Sequence, residues 1–162
     1  MVTEVLSSVD PRAARVVART ADGHVITMDV DPPDGAGSAA GPKETLLASL
    51  AACTAIDVAA ILRKKRQDAT DYEVAARGIS VADHPQVFTE ITVEHRVRGE
   101  VTAEAIRRSI ELSATKYCPV NAMLAAGDVR IEHRYRLEPL AGEPVEAVVV
   151  IVGPRGAVEV VG

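Results

Sequence analysis

The chain predicts a single mixed α+β domain with a small apolar tail, on three observations. Val129, Ile131, His133, Tyr135 and Leu137 alternate strictly with Arg130, Glu132, Arg134 and Arg136, which marks a half-buried strand. No helix breaker interrupts Glu44 to Arg66, so one long helix crosses the middle of the sequence. The 162 residues are 48% hydrophobic and 25% charged, a balance that builds an ordinary core and excludes a disordered or disulfide-stapled chain.

The elements follow in order. Arg12 to Thr20 and His24 to Val30 read as strands joined by Ala21-Asp22-Gly23, a hairpin signal. Asp31 to Pro42 holds three prolines and three glycines and is a loop. The long helix ends in Arg63, Lys64, Lys65 and Arg66, cations suited to the negative end of its dipole, and is expected to be mostly buried. Tyr72 to Val81 and Phe88 to Arg98 are two further strands around Asp83-His84-Pro85-Gln86. In the second, Ile91, Val93, His95 and Val97 give a dry face opposite Thr92, Glu94, Arg96 and Arg98. Thr102 caps a helix whose Ile106, Ile110 and Tyr117 share a stripe. Beyond Pro139, Ala147 to Val152 and Ala157 to Val161 flank Gly153-Pro154-Arg155-Gly156 as a second hairpin, giving a domain over 1–139 and a β-hairpin extension over 140–162. Such an apolar edge is expected to pair within an oligomer or to cover a surface.

Composition narrows function. A net charge of -5 and only four aromatics, Tyr72, Phe88, Tyr117 and Tyr135, argue against a nucleic-acid partner. The start lacks a basic segment followed by an apolar stretch and a cleavage site, so a cytoplasmic location with reduced thiols is expected. Thr45 to Leu62 approaches the length of a membrane span, but Asp57 and the many Ala, Ser and Thr residues favour a soluble helix and no membrane partner. Gly35-Ala36-Gly37 lacks the flanking strand and helix of a dinucleotide turn, and no cofactor is expected. His24, His95 and His133 lie on apolar faces of three different strands without ligand spacing, so no metal is expected.

The two cysteines carry the chemistry. Pro119 disfavours helical backbone at Cys118 and is itself a preferred first helical residue, so the preceding helix breaks there and a new one runs to Gly127. Cys118 then occupies an N-cap, where free N–H groups and the helix dipole would lower its pKa below about 8.5; the plainer reading is a small buried residue in a turn. Cys53 sits about 13 Å into the long helix, too far for the dipole to act, and Asp57 one turn on opposes ionisation. An active Cys53 needs a cation, and Arg15 and Arg19 are the candidates; from spacing alone it reads as a core residue.

Gly41-Pro42-Lys43-Glu44-Thr45-Leu46-Leu47-Ala48-Ser49-Leu50-Ala51-Ala52-Cys53, continuing Thr54-Ala55-Ile56-Asp57-Val58, and Tyr117-Cys118-Pro119-Val120-Asn121-Ala122 resemble the OsmC/Ohr family of thiol peroxidases, in particular its YhfA-type branch. The resemblance covers about Asp22 to Leu137. It implies antiparallel sheets wrapped around a long central helix in an intertwined homodimer. It also implies a thiol peroxidase that reduces organic hydroperoxides in oxidative-stress defence. Cys53 would attack the peroxide, Cys118 would resolve the sulfenic acid to a disulfide, and an external dithiol would reduce it. Characterised members place a glutamate ten residues before the first cysteine to orient an arginine over the thiolate; here that position is Lys43 and the acid is Glu44. Nine residues turn about 900°, which leaves Glu44 opposite Cys53 unless the first turn winds irregularly. Arg19 is preferred to Arg15 as the activating arginine. Lys43 and Asp57 leave open a non-enzymatic module of the same fold that binds a small apolar molecule or senses redox state, and thiol-disulfide exchange without peroxide is a third reading.

Overall fold

Eight strands fall into two separate sheets in the computed structural model, which describes residues 3–161. By compactness the chain divides into two units, one up to Leu47 and one from Ala48 onward, and the hairpin after Pro139 is built into the second.

The first unit holds β1 (Val5–Val9), β2 (Val16–Thr20) and β3 (Val25–Met28), antiparallel in that order. The expected hairpin is present, shorter at both ends, with Gly23 at φ 85° in its turn. β1 carries no alternating pattern, because its five residues are all exposed, and the sequence gives no signal for it. After β3 the chain is organised by the buried Asp29 carboxylate, which accepts from Ser38 Oγ at 2.6 Å, Ser38 N at 2.9 Å and Val30 N at 2.8 Å. Those bonds, Ser38's first, hold the Asp29 pKa at about 2.

α1 spans Pro42–Lys64. Gly41 stands at its N-cap with Pro42 in the first helical position, and Glu44 reaches back to accept from Gly41 N at 2.7 Å, half of a capping box. Only Leu50, Thr54, Val58 and Leu62 are buried, a stripe at intervals of four. The helix is therefore buried on one face, not mostly buried as expected: Ala52 and Ile56 are exposed, Ile56 by 70%. Its length and composition would suffice to cross a bilayer. The carboxylate of Asp57, however, is satisfied by protein, accepting from Ser113 Oγ at 2.9 Å.

The second sheet runs β4 (Asp68–Ser80), β5 (Phe88–Glu100), β6 (Arg130–Glu138), β7 (Val145–Val152) and β8 (Val158–Val160), in that order. β5 and β6 are parallel and the other pairs antiparallel. A parallel pair needs a crossover, here α2 (Ala103–Leu112), a π-helical turn (Ser113–Tyr117) and α3 (Pro119–Ala125). Thr102 caps α2 by accepting from Ala105 N at 3.1 Å. Ile106 and Ile110 are fully buried, as are Ile91, Val93, Ile131, Val149 and Val150, so α2 and the sheet share one dry layer. Tyr117 leaves the predicted stripe and is 48% exposed, because the π turn adds a residue per turn and shifts the phase. On the outer face Glu94 pairs with Arg96 and Arg134, and Glu138 with Arg98 and Arg136, exposed ion pairs of small individual value.

Gly99 lies in β5 opposite Ala69, beside a register shift, at φ 125°. A Cβ there would strike the Asp68 carbonyl oxygen and come within 2.8 Å of Thr70 N. Gly99→Ala is expected to lower the unfolding free energy by about 2 kcal/mol, read from the urea midpoint, with an unchanged midpoint as the contrary result.

Candidate functional site

The second unit brings the two cysteines together. Pro119 ends the preceding helical segment as expected: Cys118 has φ -74° and ψ 104°, extended backbone, and caps α3 with Asn121 N donating to its Sγ at 3.4 Å. Cys53 lies on α1 with Asp57 one turn along the same face. Cys53 Sγ, Cys118 Sγ and a carboxylate oxygen of Asp57 lie within 4.8 Å of one another. Both cysteines are free; Cys53 is half-buried and Cys118 is 3% exposed.

The electrostatics of Cys118 correct the sequence reading. Its pKa is pushed up to about 12, not lowered: burial is the largest cause, followed by a hydrogen bond with Cys53, and the Asn121 N–H acts in the opposite direction. One N–H at 3.4 Å and the end of a seven-residue helix do not offset desolvation of a thiolate. In the reduced protein this thiol is protonated at neutral pH.

Residues that the sequence offered only as background hold the cluster in place. Ser113 Oγ donates to Asp57 Oδ2 and lies 3.0 Å from Thr54 Oγ1, which ties α1 to the π turn. Asn121 Nδ2 donates to Ala114 O at 2.8 Å, so its Oδ1 faces His133 Nε2 at 2.9 Å and must accept from it. Tyr72 Oη lies 2.7 Å from His95 Nδ1, and the His95 and His133 rings stack with centroids 6.0 Å apart. Burial holds the Tyr72 phenol up, with the Asp57 carboxylate adding to it. Both histidines are fully buried and neutral; desolvation lowers His133 to about 4 and sets His95 well below its usual value, with His133 a lesser cause. Asn121 is the one member with a legible signal, three residues after an N-capping cysteine.

Arg19 and Glu44 belong to the first unit. Arg19 is exposed on β2, paired with Leu6 of β1 and Val25 of β3, and Glu44 accepts from Gly41 N. The cluster in the second unit consists of the two thiols and Asp57.

Comparison with known proteins fits this arrangement. The family description "OsmC-like protein" matches residues 35–134, which include both cysteines. The chain belongs to the OsmC-like family. Protein YhfA of Escherichia coli K12 is 38% identical over 122 residues, 75% of this chain and 88% of YhfA. Among solved structures, a hypothetical protein from Aquifex aeolicus superposes with a TM-score of 0.75 at 28% identity, covering 87% of this chain and 99% of its own. An OsmC organic hydroperoxide resistance protein from Legionella pneumophila shares the fold at a TM-score of 0.62 and 17% identity, covering 85% of this chain and 97% of its own. The OsmC-like fold expected from the residues around Cys53 and Cys118 is thus present, with the two sheets and long helix described above.

The neutral histidines give stability a pH signature. Their folded pKa values lie below the unfolded value of about 6.5, so the unfolded chain takes up protons first. Their contribution is full above pH 6.5 and is lost as pH falls toward the His133 value of about 4. The carboxyls held low, Asp29, Glu94 and Glu138, lose their contributions only below their usual values of 3.8 to 4.5, outside this window. Unfolding free energy measured in urea is expected to drop by about 2 kcal/mol or more between pH 7 and pH 4.5; a flat profile would refute the assignment.

Proposed function

We propose that this protein is a two-cysteine peroxidase that reduces organic hydroperoxides, with Cys53 as the nucleophile and Cys118 as the resolving thiol. The observation that carries this reading is the separation of at most 4.8 Å between two free sulfur atoms distant in sequence. A disulfide at about 2.05 Å is within reach of a small side-chain and backbone adjustment at the start of α3. Family membership supports the same chemistry at the level of class.

The Cys53 thiolate attacks the terminal hydroperoxide oxygen, the O–O bond breaks, and the leaving alkoxide takes a proton to give the alcohol while Cys53 becomes a sulfenic acid. Cys118 sulfur then attacks Cys53 sulfur, the S–O bond breaks, and water leaves with the Cys118 proton. An external dithiol reduces the resulting disulfide. Cys118 is a high-pKa thiol and needs a proton acceptor at the moment of attack. Asp57 stands within 4.8 Å of both sulfurs and fills that role, taking the proton from Cys118 and returning it to the departing hydroxide. Cys53 is half-buried on a helix composed largely of Ala, Leu, Ile and Val, a setting that favours alkyl hydroperoxides over hydrogen peroxide.

The same reading has the protein act in the cytoplasm, and as the homodimer that the family resemblance implies. The exposed Ile56 on α1 and Met123, 69% exposed on α3, are apolar groups that a second copy would cover. Ile56→Asp is expected to shift the mass in sedimentation from two chains to one, and an unshifted dimer mass would speak against this face.

Cys53→Ser is expected to abolish peroxide consumption. Cys118→Ser should retain one fast turnover and accumulate a sulfenic acid on Cys53 that a cyclic diketone traps. Asp57→Asn should not slow the first step and should slow disulfide formation by about 10- to 100-fold, the scale of general-base catalysis at its lower end. The reading fails if Cys53→Ser consumes cumene hydroperoxide at the parental rate in stopped flow.

A further inference from the structure

A site that holds two thiols and a carboxylate together has a second chemical capability, which does not depend on peroxide. In a tetrahedral zinc site the metal–sulfur distance is about 2.3 Å and the metal–oxygen distance about 2.0–2.2 Å, so adjacent donors stand about 3.5–3.8 Å apart. The three donor atoms Cys53 Sγ, Cys118 Sγ and Asp57 Oδ already lie within 4.8 Å of one another. A contraction of at most about 1.3 Å brings them to coordination distance, less movement than disulfide closure requires.

We propose that the reduced protein binds one thiophilic divalent cation, with zinc as the fitting metal, through Cys53 Sγ, Cys118 Sγ and an Asp57 carboxylate oxygen. The donor set selects the metal. Two sulfurs exclude calcium and magnesium, which take oxygen ligands, and three protein ligands leave the fourth tetrahedral position to water or a small ligand. Cys53 and Asp57 come from one face of α1 and Cys118 from the cap of α3, so the ligands sit on regular elements rather than on a loop. An outer shell is already built: Ser113 Oγ holds Asp57 Oδ2 at 2.9 Å, and Asn121 N donates to Cys118 Sγ at 3.4 Å. Asn121 is in turn fixed by Ala114 O and the fully buried His133. The half-buried Cys53 gives the entry side.

Binding takes both sulfurs as thiolates, with any thiol protons released to solvent, and no electrons move. Metal and disulfide are mutually exclusive, because each uses both sulfurs. A bound cation therefore caps the pair against oxidation, and oxidation ejects the cation.

The probe is cobalt(II), added to the full-length reduced protein under argon and then displaced by zinc. One cobalt per chain is expected, with intense thiolate-to-cobalt charge-transfer absorption in the near ultraviolet and visible bands of tetrahedral cobalt. Oxidation to the Cys53–Cys118 disulfide should abolish both and release the metal, which controls for folding because the sequence is unchanged. Asp57→Asn should weaken binding at least about tenfold while keeping the charge-transfer bands, and Cys118→Ala should lose half of their intensity. Binding without charge transfer, or equal binding by the oxidised protein, would place the metal elsewhere and overturn the proposal. The peroxidase reading is judged separately, with a chelator present: peroxide consumption without cobalt binding removes only the metal site, and cobalt binding without peroxide consumption removes only the peroxidase.

Discussion

Two sulfur atoms meet here because a helical segment stops one residue before a proline. Had the run from α2 continued as regular helix, position 118 would have been one more side chain on its surface. With extended backbone at Cys118 and Pro119 opening α3, the thiol points back as a cap, and its backbone partner is Asn121 N. The other sulfur lies on α1, tied to the same place by Asp57 and Thr54 against Ser113. The site is thus a junction between a long helix and the break in a second helical run. Every later step in the chemistry inherits that geometry.

Burial then determines what the junction can do. The cluster borders a sheet rich in Val and Ile, and a thiolate at Cys118 is strongly disfavoured there. The polar groups that accompany it are arranged as a chain from His133 through Asn121 to the Cys118 cap, with Tyr72 and His95 beside it. Such groups are tolerated in a core when each finds a partner, and they fix orientation more sharply than packed methyl groups do. His95 Nε2 and His133 Nδ1 stand without a protein partner. With Asn121 Oδ1 accepting from His133 Nε2, and Tyr72 donating to His95 Nδ1, one of these orphaned atoms is a donor and the other an acceptor.

Much of this was legible in the sequence, and the parts that were not share a physical cause. The strands at 91–97 and 129–137 announce themselves by alternation, since burial on one face imposes a period of two. The cap at Cys118 is legible because proline acts locally. What was misread depends on distant neighbours. The dipole argument for Cys118 lacked the desolvation that only the packed sheet supplies, and it gave the wrong direction of shift. The anchoring of Asp57 was not legible, because nothing in the sequence announces Ser113 as its partner, 56 residues away. An Ala-rich run looks buried on all sides, yet α1 presents only one stripe to its own chain. β1 left no trace because its side chains face solvent throughout.

A π-helical turn is an α-helix that has received one additional residue. The surplus is absorbed inside the turn from Ser113 to Tyr117, where the backbone closes over five residues: Cys118 N donates to Ser113 O at 2.9 Å. The residue that anchors Asp57 and the residue that carries the second sulfur are therefore joined by a single backbone hydrogen bond. Tightening the turn by one residue would hand that bond to a different pair, and the carboxylate's anchor would lose its direct tie to the thiol.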